Sequence, residues 1–190
     1  MSDVALLLAA IDGANREDPN LFDGKPLALV QGQAASRWLA QLKAAPSAEL
    51  QLAVRGHHLR RWELLRADFP EGRQGYLRWR RQNKAHQADS LAELMEAAGW
   101  SESSVERIRT LLGRTKLRTD PETQTLEDAA CLVFLETQFD SMAARTEHDH
   151  LVSIVAKTLK KMSPEAVTLA SSISLSPTAQ TVLADAVATL

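Results

Sequence analysis

The sequence predicts an all-α, single-domain helical bundle with about eight or nine helices. Three observations carry that reading. Apolar residues recur at three- and four-residue spacing along most of the chain, and no stretch alternates apolar and polar residues long enough to argue for a strand. The 190 residues suit one domain with a sizeable core, and neither a fixed-period repeat nor a low-complexity linker marks a boundary. Asp120-Pro121, Ser163-Pro164 and Ser176-Pro177 each place a capping residue before a proline, whose fixed φ and missing N–H suit the first helical position.

A first helix is expected from Asp3 to Asn15, ending in the turn-forming Asp18-Pro19-Asn20. Asp23-Gly24 and Pro26 open the next segment, and a second helix covers Leu27 to Ala44, closed by Pro46. Ser47 caps a third helix that runs to about Ala67, where Asp68-Phe69-Pro70-Glu71-Gly72 breaks it. The fourth extends from Gln74 to Ala98 with Gly99 as its stop, the fifth from Ser101 to Arg114, and the sixth from Asp120 to about Ala143. Three shorter helices start near Glu147, Ser163 and Ser176. Residues 1–161 form the expected core domain. Residues 162–190, rich in Ala, Ser, Thr and Val, form a helical appendage that packs on the core or on a partner, a second copy of the chain included; a mobile tail is the alternative.

Composition narrows the function classes. Apolar residues make up 45% and charged residues 24%, an ordinary globular balance. Apolar runs such as Val4 to Ile11 fall far short of the roughly 20 residues of a membrane span. The start Met-Ser-Asp-Val carries no secretory pattern, so a soluble, cytoplasmic protein is expected. Cys131, the single cysteine, has no disulfide partner and sits in an apolar run, as a buried and inert thiol would.

The net charge of −2 hides a marked asymmetry. Arg55 to Lys84 holds eight arginines and one lysine against three acids, whereas Asp120 to Asp149 holds eight acids against Arg145 alone. Pairing of the two segments across a helix interface is one explanation. The other is a phosphate-binding surface: Arg60, Arg61, Arg66, Arg73, Arg78, Arg80 and Arg81 are interleaved with Trp62, Tyr76 and Trp79, a mixture of forked donors and stacking rings suited to a nucleotide or RNA. The overall acidity argues against broad, non-specific nucleic-acid binding.

Polar residues fall where helical period expects core. Arg55, His58, Leu59 and Trp62 share one predicted face, Trp79, Asn83, His86 and Ser90 a second, and Asp128 shares a third with Cys131, Leu132 and Leu135. A carboxylate on an apolar face must be paired, hydrogen-bonded, protonated or metal-bound. Two histidines and a carboxylate suit zinc, manganese or iron, yet their spacing matches no compact metal motif. His57 is a further candidate ligand, and His148 with His150 reads as a solvated turn.

Arg55-Gly-His-His-Leu-Arg-Arg-Trp-Glu63, Phe69-Pro70, Arg73-x-Gly-Tyr-Leu-Arg-Trp-Arg80 and Leu126-Glu-Asp-Ala-Ala-Cys-Leu-Val-Phe-Leu-Glu136 resemble signature blocks of the domain-of-unknown-function 4202 family, as do Ile11-Asp12-x-x-Asn15 and Asp18-Pro19. The resemblance covers about Asp3 to Lys161. Some members have carried the label glutamyl-tRNA synthetase, but the Rossmann strands of a class I catalytic domain have no counterpart here. A more distant resemblance is to the HD-domain phosphohydrolases. Leu52-Ala-Val-Arg-Gly-His-His58 is similar to the helix carrying their His-Asp dyad, His86 to a following histidine and Asp128 to a final aspartate, although Leu59 stands at the dyad aspartate and Gln33 at the first histidine.

That resemblance implies a metal-dependent phosphohydrolase acting on a nucleotide or phosphorylated small molecule. His58, His86 and Asp128, with His57 in reserve, would hold a divalent metal; Asp128, His58 and Glu127 would be catalytic; and Arg55, Arg61, Trp62, Arg78 and Arg80 would bind substrate. The competing expectations are a non-catalytic scaffold, in which the same residues form a closed Arg-His-Asp network, and an RNA-associated helper using the arginine and tryptophan face.

Overall fold

Leu7 and Ile11, one helical turn apart, seat the first helix, α1 (Val4–Asn15), on the core. The computed structural model describes residues 4–189. After α1 comes a two-residue antiparallel hairpin, β1 (Leu21–Phe22) with β2 (Lys25–Pro26), which turns on Asp23 and Gly24 at φ 48° and 74°. The hairpin was not expected, being too short for any alternating pattern to announce it.

Helix α2 (Leu27–Leu42) follows Pro26, which offers no side-chain cap. Asp18 supplies one from a distance: its Oδ2 accepts from the Ala28 N–H at 2.9 Å, while Oδ1 accepts from the Asn20 backbone at 2.9 Å and the Asn20 amide at 2.8 Å. Helix α3 (Ala48–Arg55) is capped by Ser47, whose side chain accepts from the Leu50 N–H. It occupies the centre of the bundle, with Leu50, Leu52, Ala53 and Val54 all buried and α1, α2, α5 and α6 packed around it.

The third helix stops at Arg55 rather than near Ala67. Residues 56–60 turn, Arg60 takes a left-handed φ of 51°, and short 3-10 turns follow at Arg61–Glu63 and Arg66–Asp68. The shared face expected for Arg55, His58 and Trp62 is therefore broken. The remaining helices are α4 (Gly72–Ala97), α5 (Glu102–Gly113), α6 (Pro121–Thr137), α7 (Phe139–Ala143), α8 (His148–Leu159), α9 (Pro164–Ala170) and α10 (Pro177–Ala188). The expected sixth helix is thus two, separated at Gln138, which makes ten α-helices among the described residues.

The three proline-led starts are where the sequence put them. Asp120, Ser163 and Ser176 each accept a backbone N–H from the first turn of α6, α9 and α10. Helix α9 packs on α6, and α10 on α7 and α8. Two glycines permit close approaches elsewhere. A Cβ on Gly32 would lie 2.7 Å from the Arg55 carbonyl oxygen, and one on Gly75 would lie 1.7 Å from that of Pro70. Among the described residues no helix is long and apolar enough to cross a membrane.

Candidate anion-binding site

The residues expected to share a metal each have a separate hydrogen-bond partner, although His57 Nε2 is buried without one. His58, in the turn after α3, meets Gln31 of α2, Nδ1 to Oε1, at 2.5 Å. His86 on α4 lies 3.0 Å from Glu63 Oε2, near the surface. Asp128 on α6 is 3% exposed, and its Oδ1 accepts from Gln124 Nε2 and from the Ser163 N–H, both at 2.9 Å, which fixes the start of α9. His57 bonds through Nδ1 to the Val54 carbonyl at 2.9 Å, and its ring centroid lies 4.1 Å from that of His58. Among the described residues no group of three or more His, Cys, Asp or Glu side chains is placed to hold a metal ion. Helix α3 ends at Arg55, so His57 and His58 lie in the turn that follows it rather than on the helix expected to carry them. The glutamine that faces His58 is also Gln31, whereas Gln33 is exposed.

Arg55 is committed as well. Its Nε and Nη2 grip both oxygens of Asp12, and Nη1 donates to Ser36 Oγ at 3.2 Å, so it joins α1, α2 and α3. Arg78 is exposed on α4 and lines neither recess described below.

Positive charge gathers instead in a recess of about 340 Å³ between α4 and the ends of α5 and α8. Arg80, Arg81 and Lys84 enter from α4, below Leu77, at the three- and four-residue spacing that stacks side chains on one helical face. Arg114 enters from the end of α5, where it caps the helix in the left-handed region at φ 56°, and its Nη1 donates to the Leu112 carbonyl at 3.1 Å. Lys161 enters from the turn after α8. Against these five cations the lining holds one carboxylate, Glu127, which is 7% exposed and ion-paired to Arg114 Nε. Burial opposes ionisation of Glu127, but Arg114, then Lys161 and Lys84, hold its carboxyl below the usual range. Burial, then Arg114, pushes the Lys84 ammonium down to about 8, with Glu127 only partly offsetting them. Cys131 has its thiol pushed up to about 12 by burial and then by Glu127, in keeping with the inert thiol expected of it.

A second cleft, about 240 Å³, is lined by Gln31, His58, Arg61, Trp62, Arg66 and Trp79 among others. The Arg61 guanidinium lies 4.7 Å above the Trp79 ring, whose Nε1 donates to the Leu64 carbonyl at 3.0 Å. Burial, then the charges of Arg80 and Arg114, push the Arg61 guanidinium below its ordinary pKa, with Tyr76 opposing them. Of the expected substrate-binding residues, Arg61 and Trp62 therefore line the cleft and Arg80 the recess, while Arg55 and Arg78 stand outside both. Of the expected catalytic residues, Glu127 is the recess carboxylate, His58 faces the cleft and Asp128 holds α9. Lys84, Arg114 and Lys161 carried no motif of their own. The one signal available was the acid-poor basic run that ends at Lys84.

The described residues form a nearly all-helical domain with a recess lined by five cationic side chains. The chain belongs to the family described as Domain of unknown function (DUF4202), whose model matches residues 5–183 and so runs on through α9 into α10. No curated protein and no solved structure matches the chain.

Proposed function

We propose that this protein binds a phosphorylated small molecule in the recess formed by Arg80, Arg81, Lys84, Arg114 and Lys161. The observation that carries the reading is the charge imbalance: five cations from three separate segments line one concavity against a single carboxylate already engaged by Arg114. Holding like charges together on rigid helices costs folding free energy, and a phosphate group relieves it through charge-assisted hydrogen bonds. Arginine forks suit phosphate oxygens in pairs, and Lys84 and Lys161 add point charges. The cations line a recess rather than a continuous basic face, which favours a compact anion over a nucleic-acid backbone.

Thermal denaturation at low salt with orthophosphate, pyrophosphate or inorganic triphosphate tests the reading. Ligand at about a hundred times its Kd stabilises a one-site protein by roughly 2.7 kcal/mol, which is several degrees in Tm for a domain of this size. A dose-dependent rise that is lost in Arg80→Ala and Lys84→Ala variants is expected. No rise with any of the three anions would overturn it.

A further inference from the structure

Hydrogen bonds around the second cleft fix the chemistry of its histidine. Thr137 Oγ1 lies 2.8 Å from the Val133 carbonyl, and a hydroxyl has one proton, so that proton points to Val133. The Thr137 oxygen is then the acceptor for Gln31 Nε2 at 3.1 Å. This orients the Gln31 amide with Oε1 toward His58 at 2.5 Å, and because an amide oxygen only accepts, the proton of the neutral His58 ring sits on Nδ1. Nε2 is left as a lone pair with no protein donor, on a side chain that lines the cleft. Burial, then His57 and Arg61, hold the ring well below its ordinary pKa, so it stays neutral and Nε2 acts as an acceptor.

The walls beside this acceptor include planar and apolar side chains. Trp62 and the stacked Arg61–Trp79 pair provide faces for a flat group beside Leu27, Leu64 and Leu65, while Asp18, Asn20, Arg66 and Gln138 make the rest of the lining polar. Arg61, stacked on Trp79 in the cleft wall, interacts electrostatically with Arg80 and Arg114 of the recess.

We propose that the cleft is the second half of the ligand site and takes the base of a nucleotide, an exocyclic amine or ring N–H donating to His58 Nε2 while the phosphate lies among the recess cations. This rests on the phosphate reading of the recess. A sugar hydroxyl would satisfy Nε2 but would leave the tryptophan faces unused, which is why a base is favoured.

Calorimetric titration of the wild-type protein with the four ribonucleoside 5′-monophosphates and with ribose 5-phosphate separates the two, because ribose 5-phosphate carries the same phosphate and sugar without a base. At least one nucleotide is expected to bind about tenfold or more tightly than ribose 5-phosphate, a difference of about 1.4 kcal/mol. In a His58→Phe variant that advantage over ribose 5-phosphate is expected to vanish. Nitrogen-15 spectra of wild-type His58 give a readout that needs no variant: Nε2 unprotonated in the free protein and shifted on adding nucleotide. Four nucleotides that bind no more tightly than ribose 5-phosphate, or a protonated Nε2 in the free protein, would overturn the proposal. If pyrophosphate and ribose 5-phosphate both fail to bind, the reading of the recess fails. Free nucleosides then decide the cleft by themselves, an Nε2 response supporting it and silence overturning it.

Discussion

Arg55, the last residue of α3, grips the carboxylate of Asp12 on α1 with two hydrogen bonds, 2.6 Å from Nε to Oδ1 and 2.5 Å from Nη2 to Oδ2. Both side chains are largely buried, at 17% and 14% exposure, so removing one leaves the other charge unpaired in a poor solvent. Asp12→Ala is expected to cost about 2–3 kcal/mol in urea denaturation. The double variant Asp12→Ala, Arg55→Met should cost clearly less than the two single losses combined, since the orphaned charge is gone.

Asp128 gives a second prediction about architecture. Its carboxylate terminates the first turn of α9 through the Ser163 N–H, so Asp128→Ala should lower stability by about 1.5–3 kcal/mol and speed hydrogen exchange at Ser163 and Ala166 ahead of the core of α3. A variant with unchanged stability and exchange would show that the contact does not hold α9.

The buried histidines set the acid limb of stability. Burial, then Arg114, lowers His57 from 6.5 to about 3, and His58 is shifted in the same direction. A lowered folded-state pKa means that the unfolded chain binds the proton more readily. The stabilisation is therefore complete above pH 6.5 and is lost as pH falls toward 3. Denaturant midpoints should fall steadily from pH 7 to pH 4, by several kcal/mol in all. His57→Asn, whose amide can still donate to the Val54 carbonyl, should show a flatter profile. An equally steep one would contradict the account.

What the sequence revealed and what it hid have physical causes. Ser163-Pro164 and Ser176-Pro177 were legible because a cap and a fixed φ act within one turn of chain. The end of α3 was obscured because apolar spacing continues through Leu59 and Trp62, and Gly56 was the one local sign of the break. The break at Gln138 has neither proline nor glycine to mark it, and Phe139 stays buried as α7 begins. The recess was the least legible feature. Lys84, Arg114 and Lys161 are far apart in the chain and meet only where α4 packs on α5 and the turn after α8 is bonded to α6. The helix expected to carry His58 ends at Arg55 instead, which leaves that histidine in the following turn.

Lys84 makes the recess pH-sensitive. With its ammonium pushed down to about 8, it loses its charge as pH rises through that value, so anion affinity should weaken between pH 7 and pH 9 beyond any change due to the ligand's own ionisation. Lys84→Arg keeps a charge across the range and should remove most of that dependence. Parallel pH profiles for wild type and variant would show that Lys84 does not contact the anion.

The central claim is that the recess binds phosphate, and isothermal titration of inorganic pyrophosphate at low ionic strength addresses it most directly. Wild-type protein is predicted to give saturable binding near one site per chain, and an Arg80→Ala, Lys84→Ala variant with an unchanged circular dichroism spectrum is predicted to bind at least about tenfold more weakly. Absence of binding by the wild type, or undiminished binding by the folded variant, would contradict the account.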